Sequence, residues 1–217
     1  MPRSSAKPDH TRAHLLFKTL SDQYPIPRSF LTHSNPFELL IATMLSAQCT
    51  DERVNKVTPA LFEAFPDVAS MAGATPEAIC DTIRSVNFCY TKAIHIQKTA
   101  SLLLSQHKGR VPHTLEELIA LPGVGRKTAH VVLGQAFDIA GITVDTHVKR
   151  VSFRLGFTHH TDPYKIELDL QQQWPKKYWI HLSTLLIVHG RNQCTARRVS
   201  CTTCLCNSFC QKQGLVP

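Results

Sequence analysis

Leu121-Pro122-Gly123-Val124-Gly125-Arg126-Lys127 sits between two segments of helical apolar spacing, and its reading governs that of the chain on either side. Glycine has no Cβ, so Gly123 and Gly125 permit positive φ and close approach of another backbone. Gly125 hands over directly to a helix expected over about 126–137. The first N–H groups of such a helix lack partners within it and carry the positive end of its dipole. That terminus suits an anion, and in a basic chain the natural anion is a nucleic-acid phosphate. An ordinary helix–turn–helix connection capped by glycine satisfies the same spacing, so the glycines alone do not choose. Lys127 falls in the first turn, where the dipole disfavours an ammonium and favours the free amine. A free amine is the form that Schiff-base chemistry uses, and a solvated lysine is the plainer alternative.

Outward from this hairpin the spacing remains helical. Phe37, Leu40, Ile41, Met44 and Leu45 mark the stripe of a half-buried helix, opened by Asn35 as N-cap, Pro36 and Glu38. Thr75-Pro76-Glu77 and Asp162-Pro163 are similar starts, Thr114-Leu115-Glu116-Glu117 reads as a capping box, and a further helix spans about 179–188. No long alternating run announces a strand, so the fold class is all-α. The 217 residues suffice for one large domain or two small ones, and 43% hydrophobic residues exclude a disordered chain. Residues 1–9 read as a loose polar tail with no secretion signal, and no apolar run is long enough to span a membrane. Lys and Arg number 24 against 16 Asp and Glu; the resulting charge of +8 calls for a polyanionic partner.

Two further features carry chemistry. Asp145 lies in Ile142-Thr143-Val144-Asp145-Thr146-His147-Val148-Lys149-Arg150, at the mouth of an apolar segment and just before a helical stretch. A carboxylate there balances a catalytic amine or stabilises cationic charge developing on a sugar, though serving as an N-cap is the simpler use. Five of the eight cysteines, Cys194, Cys201, Cys204, Cys206 and Cys210, crowd the last segment. Without a secretion signal, such crowding reads as a metal site before a disulfide framework. The spacing Cys194-x6-Cys201-x2-Cys204-x5-Cys210 leaves Cys206 over. Four thiolates hold either tetrahedral zinc or a [4Fe–4S] cluster, and spacing alone does not decide. A register in which Cys206 replaces Cys204 or Cys210 stays open. The basic loop 195–200 presents Arg197 and Arg198 to phosphates or offsets the thiolate charge.

Together these strings resemble a known family. LPGVGRKTA (121–129), with the aspartate of VDTHVKR eighteen residues past the lysine, is similar to the helix-hairpin-helix DNA glycosylase superfamily and, within it, to the endonuclease III family. Residues 39–51, LLIATMLSAQCTD, resemble that family's LLSAQxTD helix, and His189-Gly190-Arg191 resembles its HGR segment. The resemblance runs from about residue 15 to the C-terminus. It implies a two-lobed fold with DNA in the cleft. One lobe is a six-helix barrel over 28–139 carrying the hairpin at about 115–137. The other joins 10–27 to 140–217 and is closed by a loop around a [4Fe–4S] cluster on Cys194, Cys201, Cys204 and Cys210, which reverses the zinc reading that base rates favour.

The implied activity is base-excision repair by a bifunctional DNA N-glycosylase and AP lyase acting on oxidised pyrimidines. Lys127 is the implied nucleophile at C1′ of a flipped nucleotide, and Asp145 stabilises charge and handles protons. Gln48 fills the vacated space, and Phe88, in Asn87-Phe88-Cys89-Tyr90-Thr91-Lys92-Ala93, is the wedge. Gly123, Gly125, Arg126, His147, Arg197 and Arg198 are the other implied DNA contacts. His130 stands where the family commonly has asparagine and lines the pocket or tunes the amine; Asn87 and Cys89 depart from the family's glycine and tyrosine. The implied partner is damaged double-stranded DNA, bound by a monomer in the cytoplasm, at the nucleoid and away from membranes. Monofunctional adenine-mismatch glycosylases share the hairpin and aspartate but lack the lysine and carry a glutamate near Gln48. A non-enzymatic, zinc-stabilised DNA-binding module would keep the basic surface, the hairpin and the cysteines and make Lys127 and Asp145 structural.

Overall fold

The computed structural model describes residues 8–27, 29–197 and 199–215. The chain divides into two compact units, Arg28–Ile139 and Met1–Pro27 with Ala140–Pro217. Helix α1 (His10–Gln23) belongs to the second of these. Helices α2 (Pro36–Leu45), α3 (Asp51–Ala64), α4 (Val68–Gly73), α5 (Pro76–Thr82), α6 (Cys89–His107), α7 (Leu115–Ile119) and α8 (Arg126–Phe137) build the first. Helices α9 (Thr146–Leu155), α10 (Pro163–Gln173) and α11 (Trp179–Asn192) complete the other, with a 3-10 turn at Lys176–Tyr178. Among the described residues the only β feature is a single bridge between Cys194 and Val199, so the fold is all-α. No helix among them is long and apolar enough to cross a membrane.

Local chemistry sets the helix starts. Asn35, Thr75 and Asp162 each turn a side-chain oxygen onto a backbone N–H three residues on, and a proline follows each at the first helical position. The box expected at Thr114 is only half made. The Thr114 hydroxyl accepts from the Glu117 N–H at 3.3 Å, but the Glu117 carboxylate accepts from that hydroxyl rather than from the backbone. The reciprocal box occurs instead at Asp67 and Ser70, opening α4. Counting the short helices α4, α5 and α7, the Arg28–Ile139 unit holds seven described helices against the six expected.

Helix α2 is buried almost all round, not along one stripe. Leu39 and Ala42, off the expected stripe, are as buried as Leu40 and Ile41, and the Thr43 hydroxyl returns a hydrogen bond to the Leu39 carbonyl at 2.7 Å. Small or apolar side chains on every face let α3, α6 and α8 surround it, and each buried Leu or Ile contributes roughly 1.5–3 kcal/mol. In the other unit Leu16, Leu20, Val151, Phe157, Leu170, Trp174 and Leu185 form the core. Trp174 donates its indole N–H to the Ala13 carbonyl at 2.9 Å, and Arg12 lies 4.3 Å over the Phe157 ring.

Two boundaries differ from expectation. The tail assigned to residues 1–9 falls mostly outside the described residues, but Asp9 is held: its carboxylate caps α1 and its N–H donates to Gln173 at 2.8 Å. Helix α11 runs past residue 188 to Asn192 because His189, buried like Leu182, Leu185 and Leu186, continues the inner face.

Candidate functional site

The hairpin is fixed from below. Leu121 and Val124 are buried, and the Thr99 hydroxyl donates to the Pro122 carbonyl at 2.9 Å. Gly123 has φ +76°, and a Cβ there would lie 2.9 Å from the Cβ and Nδ1 of His95, so glycine is required twice over. Gly125 differs from expectation, with φ −89° and nothing within 4 Å of the place a Cβ would occupy. It is an extended N-cap that offers no side-chain oxygen to the first turn of α8. Arg126 and Lys127 follow directly, both exposed. His130, one turn further, is 7% exposed and lies on the buried side of α8 rather than at a rim.

The MLSAQCTD string (44–51) is not one helix. Helix α2 ends at Leu45, a turn closed by the Cys49 N–H on Ser46 follows, and Thr50 caps α3. The break is at Gln48, whose φ is +54°. Phe88, at the head of α6, has φ +59° and is 65% exposed. Both are non-glycine residues in the left-handed region, a conformation that costs about 1–2 kcal/mol. Asn87 ties them together, its side-chain amide donating to the Gln48 carbonyl at 2.8 Å.

Lys92 holds the same turn from behind. Its side chain is 9% exposed, and Nζ donates to the carbonyls of Leu45 at 2.7 Å and Ala47 at 2.6 Å. A cation thus sits on the orphan carbonyls at the C-terminus of α2. Burial pushes its amine below the ordinary lysine value. Sequence reasoning missed Lys92; the available signal was a lysine one turn before the core residue Ile96, in an otherwise inward-facing register.

In the unit that contains α9, Asp145 is the N-cap, its Oδ1 accepting from the Val148 N–H at 2.7 Å. His147 is half-buried, and burial sets its pKa below the usual imidazole value against the opposing pull of Asp145. Arg150 lies 3.1 Å from His147 Nδ1 and donates to the Gly190 carbonyl at 2.8 Å and the Cys194 carbonyl at 3.1 Å. Gly190 allows this crossing of α9 and α11, because a Cβ there would meet the His147 Cβ at 3.0 Å.

All eight cysteines are free thiols, and Cys194, Cys201, Cys204, Cys206 and Cys210 line one pocket with His189, Arg154 and Lys212. Arg154 donates to the Thr195 carbonyl at 2.7 Å and reaches the Cys194 sulfur at 3.4 Å, tethering the loop to α9. His189 Nε2 is 3.7 Å from the Cys204 sulfur. His189, Cys204 and Cys206 bring their ligand atoms within 4.8 Å of one another, a group able to hold a metal. The Cys204 thiol is pulled down to about 4 by hydrogen bonding from Cys206, then from His189, while sharing that proton and burial push Cys206 up. Arg197 is exposed; Arg198 lies outside the described residues.

Residues 41–176 match the model of the HhH-GPD superfamily of base excision DNA repair proteins. An endonuclease III of Synechocystis sp. is 47% identical over 208 residues, covering 95% of this chain and 94% of that protein. One from Bacillus subtilis is 40% identical over 204 residues, covering 91% and 93%. A solved structure of a trapped endonuclease III–DNA covalent intermediate, an estranged-adenine complex, superposes with a TM-score of 0.89 at 40% identity, covering 94% of this chain and 96% of that one. With the family match spanning more than half of the chain and these relatives aligning over nearly all of it, this chain belongs to the endonuclease III family of the HhH-GPD superfamily of base excision DNA repair proteins.

Proposed function

We propose that this chain is a bifunctional DNA N-glycosylase and AP lyase that excises oxidised pyrimidines from duplex DNA, with Lys127 as the nucleophile. One observation carries the reading. Lys127 is exposed in the first turn of α8, behind a bare glycine N-cap, in a chain that superposes on an endonuclease III caught covalently on DNA. The hairpin N–H groups offer a seat for a phosphate, and Arg126, Arg197 and Arg198 add to the countercharge of a chain with net charge +8.

A stacked nucleotide hides C1′, so it is turned out of the duplex. Phe88, exposed at the head of α6, enters the stack, and Gln48 occupies the vacated space. The free amine of Lys127 bonds to C1′ as the bond from C1′ to the base breaks, and the base leaves with that electron pair and gains a proton. Ring opening gives a Schiff base. Loss of a C2′ proton then breaks the C3′–O bond, the strand is cut 3′ to the lesion, and water releases the amine. Asp145 supplies a carboxylate for the positive charge on the sugar and for proton handling, while one oxygen stays on the Val148 N–H. His147 contacts the DNA backbone, and His130, one turn after Lys127 on the buried side of the same helix, lines the pocket or tunes the amine.

Cys194, Cys201, Cys204 and Cys210 are assigned as the ligands of a [4Fe–4S] cluster. Zinc–sulfur bonds of about 2.3 Å would draw four sulfurs to about 3.8 Å of one another. The four assigned thiols share a pocket, but no three of them lie within 4.8 Å of one another; among the described residues the group of three that does is His189, Cys204 and Cys206. When bound, the group supplies a rigid cross-link in a loop with little regular structure and thereby fixes Arg197. The protein is taken to act on DNA as a monomer, in the cytoplasm at the nucleoid.

Borohydride trapping on a duplex with one abasic site tests the reading, with wild type and Lys127→Ala compared. A covalent adduct with wild type alone, both proteins still binding the duplex, is the expected result. Adducts with both would move the nucleophile to another amine. Binding without trapping by either would leave a monofunctional glycosylase or a zinc-stabilised binding module.

A further inference from the structure

Cys206 is the fifth thiol of the loop, and a four-cysteine ligand set has no place for it. It is 0% exposed and belongs, with Cys194, to the core of its unit. It lines the same pocket as the four assigned ligands. Its sulfur, the Cys204 sulfur and the His189 ring nitrogen all lie within 4.8 Å of one another. His189 is held from behind by the Tyr24 hydroxyl, 3.2 Å from Nδ1. Turns closed by the Asn207 N–H on Cys204 at 2.9 Å and the Cys210 N–H on Cys206 at 2.8 Å fix both cysteines. Two thiolates on one metal atom, each with a bond of about 2.3 Å, sit no more than about 4.6 Å apart. Cys204 and Cys206 are close enough that a small side-chain rotation brings either to the same metal atom. Cys194, Cys201 and Cys210 are outside that close group.

We propose that Cys206 is a stand-in ligand, able to take the iron that Cys204 holds when the Cys204 sulfur is lost. The Cys206 thiol gives up its proton to solvent and makes the one Fe–S bond that position 204 no longer makes, so the iron and sulfide count is unchanged. The inference rests on the cluster reading above.

The test uses the full chain, purified anaerobically as wild type, Cys204→Ser, Cys206→Ser, Cys204→Ser/Cys206→Ser and Cys194→Ser. Iron per chain, visible charge-transfer absorption and far-ultraviolet circular dichroism are measured on each. Wild type, Cys206→Ser and Cys204→Ser should carry the same iron, with an altered absorption only in Cys204→Ser. The double variant and Cys194→Ser should lose most of it. Cys204→Ser as iron-poor as the double variant overturns the proposal, and so does its loss of both iron and helicity. A double variant that keeps its iron shows that Cys206 is not needed, and an iron-poor Cys206→Ser makes it a primary ligand; either result overturns the stand-in role. Iron-free wild type would instead sink the cluster reading itself.

Discussion

Gly123 and Gly125 are two residues apart and answer to different forces. Gly123→Ala forces a Cβ at φ +76° against His95 and should cost about 1–3 kcal/mol, read by urea unfolding. Gly125→Ala meets open space and should leave stability within about 0.5 kcal/mol, its effect appearing in DNA affinity instead. A Gly125→Ala variant that unfolds as easily as Gly123→Ala would show the second glycine to be structural. Asp145 separates in the same way. Asparagine caps as well as aspartate, so Asp145→Asn should keep the unfolding free energy but lower single-turnover excision by on the order of 10²-fold. Asp145→Ala should lose that activity and about 1 kcal/mol of stability together. Undiminished excision by Asp145→Asn would reduce Asp145 to a cap.

Among the elements, the end of α2 and the turn after it are held by a buried cation, Lys92. Lys92→Met keeps the apolar stem and removes the donor from the carbonyls of Leu45 and Ala47. The expected loss is about 1–3 kcal/mol, read as a fall in thermal midpoint, with excision reduced more than DNA binding because the turn carries Gln48. Excision and binding falling in step would confine Lys92 to stability. Helix starts were legible because a cap and the N–H it serves are three residues apart. The end of α2 was not: Ser46, Ala47 and Gln48 are all acceptable in a helix, and the break is enforced by Lys92 and Asn87 from a segment about forty residues away. The wrap of α3, α6 and α8 round α2 is likewise a matter of neighbours, so periodicity suggested a stripe where the packed helix is enclosed.

Across the whole molecule, charge is the property with the longest reach. A basic chain that neutralises about six phosphates should lose roughly 10³-fold in duplex affinity between 50 and 200 mM salt. A titration across that range reads the slope directly, and a slope near zero would remove the electrostatic footing of the DNA reading. The charge bounds the class of partner but places no residue, and it would serve a binding module as well as an enzyme. Lys127 distinguishes the two, through trapping rather than through the field of the protein.

The sequence by itself determined what rests on near neighbours in the chain: the all-α class, the capped starts of α2, α5 and α10, the span of α8, and Lys127 in its first turn. These follow from hydrogen bonds and periodicities that close within one or two helical turns. It also determined the family, because the hairpin, the aspartate and the cysteine spacing occur together. Tertiary structure alone decided that Gly123 faces His95, that Lys92 holds the turn bearing Gln48, that His130 is buried and that Cys206 lies against Cys204 and His189. Each of these depends on a contact made in space, between groups whose order along the chain carries no information about their separation once the cores have packed.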